Sequence, residues 1–191
     1  MESDNLEDGL SRLKILSFDP ASTKNIGWCV IYLEGDKDGG CSTFELAAGT
    51  FVMPSVADYW QALWPMFLAV DDFLNEEKPD VIIIEKTSAF AGGFITGQVS
   101  NCMGVILACC GKYDAKVDFV FPTHVKKVVT GKGRATKNVL KKSVRSILTH
   151  YGMKDVKFDS EHAYDAIANI LCYLCDKGQL KNPLTEETNE P

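Results

Sequence analysis

"KPDVIIIEKT", residues 78–87, joins a turn-forming Lys-Pro-Asp to four consecutive β-branched residues, Val81 to Ile84, and then stops on a carboxylate, Glu85. A run with no polar face predicts a strand covered on both sides, the place of a central strand in an α/β sheet. On its N-terminal side, "LKILSF" (13–18) ends at Asp19, and "GWCVIYLE" (27–34) follows a turn-rich "DPASTKNI", so the two predict a hairpin. "FELAAGTFVMP" (44–54) predicts a third strand. "VADYWQALWPMFLAVDDFLNEE" (56–77) has apolar residues at helical spacing, with a kink expected at Pro65.

On the C-terminal side, "AFAGGFITG" (89–97) leads into an apolar helix, "QVSNCMGVILACCGKY" (98–113), and "KVDFVFP" (116–122) is a further strand closed by Pro122. "THVKKVV" is a short helix, "TGKGRATK" a loop, and "KNVLKKSVRSILTHY" (137–151) an amphipathic basic helix. "SEHAYDAIANILCYL" (160–174) starts the last helix behind a Ser160 N-cap. Three strands followed by helix, strand, helix, strand and helices imply a mixed sheet with helices on both faces. One domain is expected over 13–177, with flexible tails at 1–12 and 178–191.

The chain has 191 residues, 46% hydrophobic and 24% charged, enough for one substantial core. No segment reaches the ~20 consecutive apolar residues that cross a bilayer. The acidic start "MESDNLEDGL" is the reverse of a signal peptide, so a cytoplasmic location is expected, with no membrane partner. Seven cysteines, an odd number set mostly in apolar runs, read as buried thiols; Cys172 and Cys175 have no second Cys or His pair at zinc spacing. The net charge of −6 hides an asymmetry: residues 112–157 hold twelve Lys and Arg against three Asp, a local +9, which leaves −15 elsewhere. A polyanion-binding face on an acidic protein has that split, as does a solvated basic helix.

Asp19 and Glu85 both end apolar strands. Burying a carboxylate costs free energy unless it is paired or holds a metal, and two at neighbouring strand ends demand a cation; Mg²⁺ suits carboxylate oxygens and a phosphate substrate. His162 and Asp165, at i and i+3, share a face at the mouth of the last helix. Singly, each has a plain reading: "DP" opens turns, Glu85 with Lys86 makes a surface pair, and His162 is a core histidine. Together the four fall at ligand-capable places in one element order.

These motifs resemble the RuvC-type Holliday junction resolvases of the ribonuclease H-like (retroviral integrase) superfamily, over roughly residues 13–175. "ILSFDPASTKNIGWCVI" resembles the family's first hairpin, with Ala21 in place of its first glycine and Gly27 matching its second. "KPDVIIIEKTSAF" resembles the strand of the second acid, "THVKKVVTGKGRATKNVL" the basic segment with its Gly-x-Gly, and "EHAYDAIAN" the final motif.

The resemblance implies an α/β, ribonuclease H-like mixed five-stranded sheet flanked by helices on both faces. It implies a metal-binding catalytic set of Asp19, Glu85, His162 and Asp165, with His162 either a ligand or a manager of a proton. It places DNA contacts at Lys126, Lys132, Arg134, Lys137 and Lys141, with Phe90 or Phe94 as the aromatic reaching toward the junction. The implied activity is that of a crossover junction endodeoxyribonuclease that cuts four-way or branched DNA in pairs, leaving 5′-phosphate and 3′-hydroxyl ends. Two Mg²⁺ ions per site, with Mn²⁺ as substitute, are implied, as are a symmetric homodimer and a divergent phage or viral-type member acting in the cytoplasm of a bacterium or infected cell.

Rival readings are weaker or share the chemistry. A sugar-kinase or actin-type fold needs a second lobe that the chain lacks. A non-catalytic branched-DNA binder would be expected to have lost an acid, and none is missing. A related nuclease acting on RNA–DNA hybrids or flaps uses the same carboxylates.

Overall fold

In the computed structural model, the residues described are 12–22, 24–35, 41–86, 94–153, 157–158 and 160–186. Five strands, β1 (Arg12–Asp19), β2 (Asn25–Gly35), β3 (Cys41–Val52), β4 (Val81–Glu85) and β5 (Val117–Val120), form one sheet in the order β3-β2-β1-β4-β5. β1, β2 and β3 pair antiparallel as consecutive hairpins, whereas β4 and β5 join in parallel. The helices are α1 (Leu63–Glu77), α2 (Phe94–Lys112), α3 (Pro122–Thr130), α4 (Lys137–His150), α5 (Glu161–Asp176) and α6 (Pro183–Glu186). This is the mixed five-stranded sheet expected from the sequence.

Two apolar layers sandwich the sheet, and strand alternation assigns each side chain to one of them. Ile15, Val81, Ile83, Cys29, Ile31 and Leu33 pack with α3, α4 and α5. Leu16, Phe18, Ile82, Ile84 and Val30 pack with α1 and α2. The β-branched run of β4 thus feeds both layers, which is why it has no polar face. α5 is the spine of the first layer, with Tyr164 and every residue from Ala166 to Leu174 except Asn169 in its core; Ala163 and Asn169 are fully buried as well.

Two expectations change. Pro65 makes no kink: α1 starts at Leu63 after a 3-10 turn at Tyr59–Ala62, so the proline lies in the first helical turn, where its missing N–H has no intrahelical partner to lose. The domain extends beyond residue 177, since Leu180 is in the core and buried Asn182 donates to the Val128 carbonyl at 2.6 Å. Residues 178–186 therefore pack on the fold through a short apolar anchor that composition disguised. On α2, Ile106 is fully buried against the sheet, with Met103 and Leu107 packed beside it. The N-terminal tail up to residue 11 and the end from residue 187 lie outside the described residues.

Candidate active site

The same alternation builds the site. Ile15, Ser17 and Asp19 of β1 share one face, as do Val81, Ile83 and Glu85 of β4, and the last β1–β4 pair is Phe18 with Ile84. Asp19 and Glu85 are each one residue beyond that pair, so both carboxylates emerge at adjacent strand ends on the face that α5 covers. Ser160 caps α5 by accepting from the Ala163 N–H at 3.1 Å, and its hydroxyl bonds the Thr50 hydroxyl on β3. These bonds tie the helix start to the sheet. Gly27, paired with Asp19 across the hairpin, lets the α5 backbone descend: a Cβ there would lie 2.1 Å from the His162 carbonyl oxygen.

His162 Nδ1 accordingly lies 3.1 Å from Asp19 Oδ2. Ligand atoms of Asp19, His162 and Asp165 all fall within 4.8 Å of one another. Glu85 is outside that trio but lines the same cavity of about 200 Å³, along with Ala21, Lys126 and Lys137. Lys137 Nζ is 3.5 Å from Asp165 and 3.6 Å from Glu161, the latter an exposed residue as its dipole-favouring position suggests.

Burial, together with the charges of Asp19 and Asp165, pushes the Glu85 carboxyl up to about 8. Burial and Asp19 likewise raise Asp165. The hydrogen bond to Asp19 outweighs burial and raises His162. For Lys137 burial works downward, but the Asp165 and Glu161 carboxylates prevail and hold it up. Three carboxylates and an imidazole around one cavity, with more negative charge than the adjacent lysines relieve, fit a divalent cation by donor chemistry.

These shifts have one sign for stability. Glu85, Asp165 and His162 each hold a proton more tightly folded than unfolded, so without metal, stability falls as pH rises, for Glu85 between about 4.5 and 8. A divalent cation prefers the deprotonated set. The melting-temperature gain from added Mg²⁺ should therefore be several degrees larger at pH 8 than at pH 5 in thermal scans; equal gains at both pH values would count against this site as the metal centre.

Of the sequence-predicted DNA contacts, Lys126 and Lys137 border the cavity. Lys132 and Arg134 are exposed on the loop between α3 and α4. Lys141 is farther round α4, with its Nζ 4.7 Å from the centre of the Tyr164 ring. Phe90 lies outside the described residues, and Phe94 is described only as the first residue of α2. Two features escaped sequence reasoning. One is the matching parity of 15, 17, 19 and 81, 83, 85, which was there to be counted. The other is Lys86, which lies 5.1 Å from the Phe119 ring and 5.0 Å from that of exposed Phe121, giving a cationic aromatic cluster next to Glu85.

A five-stranded mixed sheet, with carboxylates at the ends of its two central strands and a histidine and aspartate facing them from the last helix, defines a ribonuclease H-like nuclease fold. The chain belongs to the RuvC family, whose model, described as crossover junction endodeoxyribonuclease RuvC, matches residues 15–173. It is 27% identical to the crossover junction endodeoxyribonuclease RuvC of Rickettsia prowazekii over 161 residues, 84% of this chain and 95% of that one. Its fold is similar to Thermus thermophilus RuvC in complex with Holliday junction substrate, with a TM-score of 0.69, 17% identity and coverage of 88% of this chain and 99% of that one. It is also similar to the yeast mitochondrial Holliday junction resolvase, with a TM-score of 0.62, 10% identity and coverage of 93% and 86%. Among the described residues, no helix is long and apolar enough to cross a membrane.

Proposed function

We propose that the chain resolves Holliday junctions or closely related branched DNA by metal-dependent phosphodiester hydrolysis, leaving 5′-phosphate and 3′-hydroxyl ends. The observation that carries this reading is the single cavity bordered by Asp19, Glu85, His162 and Asp165 on one side and by Lys126 and Lys137 on the other. The residues there would hold divalent ions, two Mg²⁺ per site with Mn²⁺ as substitute, which would supply charge neutralisation at the phosphate and an activated water.

The chain's own residues do the rest. Asp19, Glu85 and Asp165 would hold the ions, and Asp19 is central because it touches the imidazole as well. His162 Nδ1 shares a proton with Asp19 Oδ2, which fixes the ring and leaves Nε2 for a ligand or a proton. Lys137 Nζ, held by two carboxylates, is placed to meet a phosphate oxygen and lock the strand in line. Lys126, Lys132, Arg134 and Lys141 extend that grip along the backbone, which gives affinity without sequence readout.

A four-way junction has near two-fold symmetry, so paired nicks call for two sites and a symmetric homodimer. Exposed Trp60, Trp64 and Leu68, with Trp64 stacked on Phe67 at 5.6 Å, offer an aromatic surface of the kind such an interface uses. A panel of synthetic four-way junction, flap and RNA–DNA hybrid, incubated with the chain and Mg²⁺, tests the proposal. Symmetric paired cuts on the junction are expected at rates at least about tenfold above the others, a difference of 1.4 kcal/mol in barrier. Preference for the hybrid would replace this reading with that of a ribonuclease H-like enzyme.

A further inference from the structure

At the other end of α5, three side chains from two helices converge. His124, in the first turn of α3, lies with Nε2 3.0 and 2.9 Å from the two carboxylate oxygens of Asp176. Cys172, one turn before Asp176 on α5, has its Sγ 3.7 Å from Asp176 Oδ2. The nitrogen, sulfur and oxygen all lie within 4.8 Å of one another. Cys172 is fully buried, while His124 and Asp176 border an open cavity of about 690 Å³ that Cys175 also lines.

The placement runs against helix electrostatics. Asp176 is the last residue of α5, at the negative end of the helix dipole, where an acid is disfavoured and a cation is favoured. Acid and dipole end both favour positive charge at one point, and the thiol and imidazole beside them are groups that can ligate it.

We propose that His124, Cys172 and Asp176 form a second metal site, which takes Zn²⁺ or a similar borderline-soft divalent ion. One thiolate and one carboxylate balance the ion's charge, and the Cys172 proton leaves to solvent as the ion binds. Zinc bonds of about 2.0–2.3 Å in tetrahedral geometry set donors about 3.3–3.7 Å apart; Cys172 and Asp176 are already 3.7 Å apart, and the His124–Asp176 pair at 2.9 Å needs to open by only a few tenths of an ångström. The fourth position opens on the cavity, for water or Cys175. A thiolate donor favours softer ions over Mg²⁺, so the two centres differ in the metals they prefer. Bound there, the ion pins the start of α3, the helix that carries Lys126, to the end of α5. The cysteine pair has no second Cys or His pair near it in sequence to complete a zinc site; His124 arrives from another part of the chain.

Titration of the full chain with Co²⁺ under reducing conditions tests this. The expected result is a thiolate-to-cobalt charge-transfer band that saturates at one equivalent, is displaced by Zn²⁺, and persists in Asp19→Asn, since the oxygen-rich centre has no sulfur donor. Exposed His124→Ala and Asp176→Asn should each weaken Co²⁺ binding at this band by at least about tenfold, and Cys172→Ser should remove it. Because Cys172 is a core residue, the two surface variants carry the test independently of that substitution. No band in the parent chain, or a band of unchanged strength in both surface variants, would overturn the proposal and leave an ion pair beside a core thiol.

Discussion

Replacing Asp19 by asparagine is expected to lower junction cleavage by about 10³-fold or more while leaving the fold and junction binding in place. Asparagine keeps the shape of aspartate, and its side-chain oxygen can still accept the hydrogen bond that His162 Nδ1 gives to Asp19 Oδ2. What is lost is one negative charge at the point where β1, β4 and α5 meet. Metal-assisted charge stabilisation is worth several kcal/mol in phosphoryl chemistry, and each 1.36 kcal/mol is a factor of ten in rate. Single-turnover cleavage and a gel-shift measured on the same preparation separate the two effects. Undiminished cleavage by Asp19→Asn would sink the metal-site reading; lost binding together with lost cleavage would instead assign Asp19 to the fold.

Gly27→Ala should be nearly as damaging, for a reason unrelated to charge. The added methyl would lie 2.1 Å from the carbonyl oxygen and 2.5 Å from the carbonyl carbon of His162, both backbone atoms that no rotamer change can move. Either β2 or the first turn of α5 must withdraw. β2 is paired on both sides, with β1 and β3, so the helix start gives way. Overpacking of this kind costs about 1–3 kcal/mol of stability. A displacement near 1 Å costs about 10²-fold in rate, because His162 and Asp165 travel together away from Asp19. Denaturant unfolding and cleavage assays on Gly27→Ala should show both losses, and an unaffected rate would mean that the α5 start is free to adjust.

How far the sequence could be read depended on how local each signal was. The unbroken β-branched run of β4 and the hairpin before it identify the sheet because burial on both faces leaves no other composition. Strand-terminal Asp19 and Glu85 and the helix-mouth His162 and Asp165 were legible for the same reason: a carboxylate next to an apolar run needs a partner. Pro65 was misread because a proline within an apolar period looks the same whether it kinks a helix or opens one. The anchoring of residues 178–186 was missed because Leu180 and Asn182 do their work through distant Val128 and α5, in a segment whose composition is polar. His124 belongs with Cys172 and Asp176 only through tertiary structure, about 50 residues apart in a fold of this class.

The burial of α5 has a consequence for how the enzyme can adapt. Eleven of its sixteen residues are in the interior, so the helix behind His162 and Asp165 is committed to the core, and its central amides should be among the slowest to exchange hydrogen with solvent. The opposite wall, from Lys126 through the loop at Gly131–Thr136, exposed except for Gly133 and Ala135, to Lys137, is less deeply committed. On the proposed function, release of cut strands and any drift in the shapes of DNA accepted would fall to that wall, while the helix behind the acids would hold the chemistry constant.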